Sequence, residues 1–152
     1  MTRLQHWVES GALRPHRTSR REIADLLAVV DRDLRDAGVA ALSPDRRFAI
    51  AYSAVLGLAT VVLAASGYRA VAQRGHHAVT LQALPELMGE DVRELAVYFD
   101  SCRVLRNASD YDRAGGVSAS DVDELVQEAL AFRRQVLEWL GRAHPKLASG
   151  VS

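Results

Sequence analysis

FAIAYSAVLGLATVVLAASGY, residues Phe48 to Tyr68, carries no charged side chain. A membrane span needs roughly 20 predominantly apolar residues, so the run raises that reading at once. Its composition argues otherwise. Alanine is abundant, Ser53, Gly57, Thr60 and Ser66 dilute the apolar character, and no other segment of the chain would accompany it into a bilayer. A helix enclosed by other helices has the same all-round apolar character. We therefore read the run as the central helix of a bundle, with small residues that let its neighbours approach closely. Ser43 caps it, Pro44 occupies its first turn and Gly67 stops it.

Working outward from this helix, the chain upstream predicts one long amphipathic helix. Ser19 is its N-cap with Glu22 three residues on, the spacing of a capping box. Ile23, Leu26, Leu27, Val30 and Leu34 form its buried face, Gly38 ends it, and Asp25, Asp31, Arg32, Asp33, Arg35 and Asp36 are expected to be solvated. Residues 1–17 read as a helical turn and an irregular lead-in. Downstream, Arg69 to Gly75 reads as a loop, and His76-His77 leads into a short helix through Val79, Leu81, Leu84 and Leu87. Adjacent helical residues diverge by about 100°, so the two histidines lack the i, i+4 arrangement of a helix-borne zinc site. A hydrogen-bonding or capping role for one, with the other exposed, is expected, and no metal.

Glu90-Asp91 begins the next helix, where acidic residues suit the dipole. Asp112 to Gly116 is a turn with a Gly-Gly pair. Ser118 or Ser120 caps the last helix, in which Val122, Leu125, Ala129, Phe132, Val136 and Trp139 recur in steps of three and four. The expectation is an all-α, antiparallel up-down bundle of four long helices and a short one. It occupies residues 18–142, followed by a frayed tail, 143–152.

Composition bounds the function. The chain has 152 residues, 49% hydrophobic and 25% charged, with a formal net charge of zero. It is a single globular domain by size, without the global positive field that draws in nucleic acid or an anionic membrane. Charge is nonetheless uneven, with Arg3, Arg14, Arg17, Arg20 and Arg21 against Glu9 alone in the first 21 residues. The single cysteine, Cys102, excludes an intramolecular disulfide and, lying on an apolar seam, reads as a buried structural thiol. No secretory signal is legible at the N-terminus, so the cytoplasm is the expected location, with no membrane partner and no cofactor.

The chemistry-bearing stretch is Asp100-Ser-Cys-Arg-Val-Leu-Arg-Asn-Ala-Ser-Asp-Tyr-Asp112. Val92, Leu95, Phe99 and Cys102 make a helical seam by their spacing, and the next seam position is Arg106. A buried guanidinium requires a partner or a cleft. Asp110 stands four residues on and can reach it along the helix. Arg103, Arg106, Asn107 and Asp110 share one side, with Tyr111 following. Donors, an amide and a phenol so concentrated fit a phosphate or RNA site.

With its elements placed, the second half of the chain resembles a HEPN domain, a small helical bundle often encoded beside minimal nucleotidyltransferases and found in toxin–antitoxin and antiphage systems. The resemblance is carried by Arg106-Asn107 late in one helix, Asp110-Tyr111-Asp112 at its end, a short Gly-containing turn and the long final helix, Ser120 to Leu140. Tyr68 to Leu84, with Gly75-His76-His77, is similar to one subgroup of small HEPN proteins. Coverage is roughly residues 19 to 142. HEPN ribonucleases carry Arg, four to six residues, then His, and cleave RNA without metal. Arg106 matches the Arg and Asn107 the polar residue after it, but Tyr111 stands at the His position. A phenol with a pKa near 10 is a poor proton acceptor at neutral pH, though it donates hydrogen bonds and stacks on bases. The resemblance thus implies a homodimeric module that binds RNA, a nucleotide or a partner protein through Arg103, Arg106, Asn107, Asp110 and Tyr111. A minimal nucleotidyltransferase antitoxin is the implied partner. The alternative is an active metal-independent ribonuclease toxin using Arg106, Asn107 and Tyr111.

Overall fold

Helix α3, Pro44–Ala65, is the element on which the others pack. The computed structural model describes the backbone of residues 1–111 and 116–148, and the side chains of all of these except 109–111. Ahead of α3 come α1 (Arg3–Ser10), β1 (Leu13–Pro15) and α2 (Arg20–Ala37). After it come β2 (Tyr68–Ala70), α4 (His76–Met88), α5 (Arg93–Tyr111), α6 (Ala119–Ala143) and α7 (Pro145–Ala148). The architecture is all-α with a two-stranded ribbon at one side.

Ser43 caps α3 as the sequence predicts, its hydroxyl accepting from the Arg46 amide, with Pro44 in the first turn. Helices α2, α4, α5 and α6 all contact α3, which explains its lack of charge: Phe48, Tyr52, Val55, Leu58 and Val62 recur on one face, Val61, Leu63 and Ala64 lie off it, and all are buried. Burying each large side chain contributes about 1.5–3 kcal/mol. Among the described residues, Pro44–Ala65 is long and apolar enough to cross a bilayer, and 67% of its apolar window is buried inside the bundle. Gly57 shows why small residues matter here: a Cβ at that position would lie 2.8 Å from Val30 Cγ2 of α2.

Several expectations are corrected around this core. Residues 1–17 are not an irregular lead-in. Thr2 caps α1 in a reciprocal box with Gln5, and β1 pairs antiparallel with β2, Leu13 opposite Ala70 and Pro15 opposite Tyr68. Residues 69–70 therefore belong to a strand rather than a loop. Leu13, 1% exposed, drives this by packing with Leu63 and Ala83; a strand of three residues is too short to show alternation.

In α2, Ser19 accepts from the Glu22 amide at 3.1 Å. The Glu22 carboxylate does not return to close a box, however. It accepts from Thr18 Oγ1 at 2.6 Å and meets His16 Nε2 at 2.8 Å. Asp33 is not solvated either: it falls on the buried Val30–Ala37 stripe and is held by Arg32 at 2.9 Å. At the other end, Pro145–Ala148 of the expected tail forms a helical turn that contacts α2 and α6. Leu147 and Ala148 pack on the core there.

Glu90–Val92 is a 3₁₀ turn leading into α5. Ser118, not Ser120, caps α6, in a box with Asp121. The helix runs on through Gly141 to Ala143. Of the expected turn at 112–116, residues 112–115 lie outside the described residues.

Candidate functional site

The seam of α5 is built as its spacing predicts. Val92, Phe99 and Cys102 are buried and Leu95 packs against the core, with the Phe99 ring 5.2 Å from Phe132 of α6. The Cys102 thiol is pushed up to about 11 by burial, which makes it an inert core group at neutral pH. One turn later the seam reaches Arg106, half-buried. Its guanidinium carbon lies 5.9 Å from the centre of the Tyr52 ring of α3, at the outer limit of a cation–π contact.

Tyr52 is 1% exposed, and its hydroxyl has no hydrogen-bond partner among the described residues. Burial pushes the phenol up to about 12, against the opposing pull of Arg103 and then Arg106. Such a group stays protonated at neutral pH and is a donor.

The second ring at this place is His77 of α4, 6.1 Å from Tyr52 between centres. Gly75, at a φ of 84°, starts α4 without a side-chain cap, and the two histidines follow it. His76 Nδ1 is 2.7 Å from the Gln73 carbonyl; a carbonyl only accepts, so Nδ1 carries the hydrogen. The two imidazoles meet edge to face at 4.3 Å. One histidine thus has the expected hydrogen-bonding role. The other is not simply exposed: His77 turns inward towards Tyr52. Its pKa is lowered by burial first, then by His76, Arg106 and Arg103. At neutral pH the imidazole is therefore uncharged and retains a lone pair.

Arg103 lies one turn before Arg106, half-buried, its Nε donating to Asp100 Oδ1 at 2.8 Å. Asn107 is exposed, beside the cluster rather than inside it. The side chains of Asp110 and Tyr111 lie outside the described residues, and with them the expected Arg106–Asp110 pair. Among the described residues no group of three or more His, Cys, Asp or Glu is placed to hold a metal ion.

The meeting point of α3, α4 and α5 thus holds two guanidiniums, a buried phenol and a neutral imidazole. Asp100 offsets the charge of Arg103, so Arg106 is the cation that would draw an anion here, and a bound anion would in turn favour the protonated imidazole. Sequence reading named Arg103, Arg106 and Asn107 but missed Tyr52 and His77. The available signal for Tyr52 was a phenol inside an otherwise apolar run; for His77 it was a histidine opening a helix.

This helical bundle, with Arg106-Asn107 at the end of the α5 seam, has the form of a HEPN domain. The SAV_6107-like HEPN family matches residues 38–137, and the chain belongs to the HEPN family. The matched segment contains Tyr52, His77, Arg103 and Arg106 and leaves out α1 and β1. No curated protein and no solved structure matches the chain.

Proposed function

We propose that this chain is a dimeric HEPN module that binds RNA or a nucleotide by its phosphate through Arg103 and Arg106, in a toxin–antitoxin or defence setting beside a minimal nucleotidyltransferase. The observation that carries this reading is the Arg106 guanidinium over the Tyr52 ring, beside which the His77 ring also stands, with Arg103 one turn before it on α5. Guanidinium forks match phosphate geometry. The family membership supports the setting and the partner. Dimerisation is supported by α5, where Val97 and Val104, one heptad apart, are 65% and 55% exposed. Apolar residues at that spacing suit a helix face covered by a second helix. Anisotropy of a fluorescent RNA hexamer, titrated with wild type and with Arg106→Ala, tests the binding. Equal affinity of the two folded proteins would end the reading. Light scattering at micromolar concentration tests the dimer.

A second reading, a metal-independent ribonuclease, is favoured by one observation: an imidazole, His77, stands beside the Tyr52 ring that Arg106 overlies, although none follows Arg106 at the four-to-six-residue spacing. In that chemistry the 2′-oxygen bonds to phosphorus as the P–O5′ bond breaks. His77 takes the 2′-hydroxyl proton, solvent protonates the departing 5′-oxygen, and the arginines hold the phosphate oxygens. RNA cleavage in EDTA that is lost in both Arg106→Ala and His77→Gln would select this reading over binding alone.

A further inference from the structure

On α3, Tyr52, Leu56 and Thr60 follow one another at four-residue steps and share one face of the helix. Tyr52 lies at the arginine end of that face. Leu56 and Thr60, with Arg69 of β2 and His76, His77 and Thr80 of α4, line a cleft of about 180 Å³. His77 is common to both places. It lines the cleft, and its ring also faces Tyr52 and feels Arg106 and Arg103. Between Tyr52 and Thr60 the helix rises about 12 Å, a reach of roughly one or two nucleotides.

The walls have a definite chemistry. Leu56 offers an apolar surface, and the two imidazoles, in edge-to-face contact at 4.3 Å, add flat π surface. Thr60 Oγ1 donates to the Leu56 carbonyl at 2.8 Å, and Thr80 Oγ1 donates to the His76 carbonyl at 2.8 Å. Each hydroxyl hydrogen is therefore committed within its own helix, leaving the oxygens as acceptors. Stacking surface beside acceptors suits a planar heterocycle that carries amino hydrogens. The exposed Arg69 adds a positive charge to the lining.

We propose that this cleft is a nucleobase subsite, holding the base of a nucleotide whose phosphate is bound at Arg103 and Arg106. The subsite rests on the phosphate-binding reading above and adds to it a wall, His77, shared between base and phosphate.

The test is anisotropy with two fluorescent hexamers: oligoadenylate and the same ribose-phosphate chain without bases. Wild type binds oligoadenylate about tenfold more tightly, the scale of one stacked base. Thr60→Phe, which fills the cleft, abolishes that preference and leaves the affinity for the abasic chain unchanged. Ala70→Leu, filling it from β2, repeats the result should Thr60→Phe not fold. Equal wild-type affinity for both hexamers would overturn the subsite while leaving phosphate binding intact. So would a preference that survives the filling variants. Failure of wild type to bind either hexamer would remove the phosphate reading and the subsite with it.

Discussion

Two half-buried arginines of this protein, on different helices, stand in contrasting surroundings. Arg133 of α6 is forked onto Asp31 of α2, Nε to Oδ1 at 2.7 Å and a terminal nitrogen to Oδ2 at 3.2 Å. That geometry ties two helices together. Arg106 of α5 lies instead over an aromatic ring, one turn from Arg103 and within reach of a neutral imidazole. A forked carboxylate neutralises its guanidinium where it stands. The described surroundings of Arg106 are of another kind: a buried phenol ring, an uncharged imidazole and Arg103, which Asp100 holds at 2.8 Å. Position, not composition, sets the two arginines in different surroundings.

The largest effect that sharpens this contrast is at Tyr52. Tyr52→Ala should destabilise the fold by about 3–5 kcal/mol, because a large side chain would leave a cavity beside α3. Tyr52→Phe should cost less than about 1 kcal/mol, since the hydroxyl makes no hydrogen bond among the described residues. Urea unfolding of both variants checks this; a Tyr52→Phe cost above about 1.5 kcal/mol would show that the hydroxyl has a strong partner after all. Next, Arg106→Ala should weaken binding of an RNA hexamer about tenfold and flatten its salt dependence by roughly 0.7 in log–log slope, the value of one phosphate on a single strand. Arg133→Ala should leave affinity and slope alone. Reversed results would mean that the wrong arginine has been assigned to the site.

Arg133→Ala should cost under about 1 kcal/mol by denaturation, as its pair is partly exposed.

The smallest effect concerns pH. His77 has a folded pKa below its ordinary 6.5, so the unfolded chain binds the proton more readily. The stability of the neutral folded form is complete above about 6.5 and declines as pH falls towards the folded value. His77→Gln should flatten this part of the stability–pH curve. Glu22 acts in a lower window, because hydrogen bonds from Thr18 and then His16 lower its carboxyl below 4.5. Its contribution, present above 4.5, is lost as pH falls further. Parallel curves for wild type and His77→Gln between pH 5 and 7 would mean that His77 is not held in its part-buried place beside Tyr52.

Reading along the chain was strongest where a period was long. The steps of α2, α5 and α6 are those of helices with one buried face, and the uncharged run around Gly57 left few places for α3 except the centre. Arg106 stood out for a local reason: it breaks a seam that can be counted. Asp33 misled because charge suggested water, whereas its helical position, three after Val30 and four before Ala37, placed it on the buried side. The ribbon of β1 and β2 escaped notice because three residues carry no usable period, and its stability comes from Leu13 finding Leu63 and Ala83 across the fold.

Local order along the chain was therefore enough to establish the long helices, most of their buried faces and the arginine at the end of the α5 seam. It also placed the chain by resemblance in the HEPN family, which the match over residues 38–137 establishes. Bringing Tyr52 and His77 to Arg106 took the packed bundle. Hydrophobic periodicity records which side of a helix is buried, but not which distant residue it will be buried against. That pairing depends on how α4 and α5 dock on α3, a global choice of packing from which the Tyr52–His77 wall and the cleft beside it both arise.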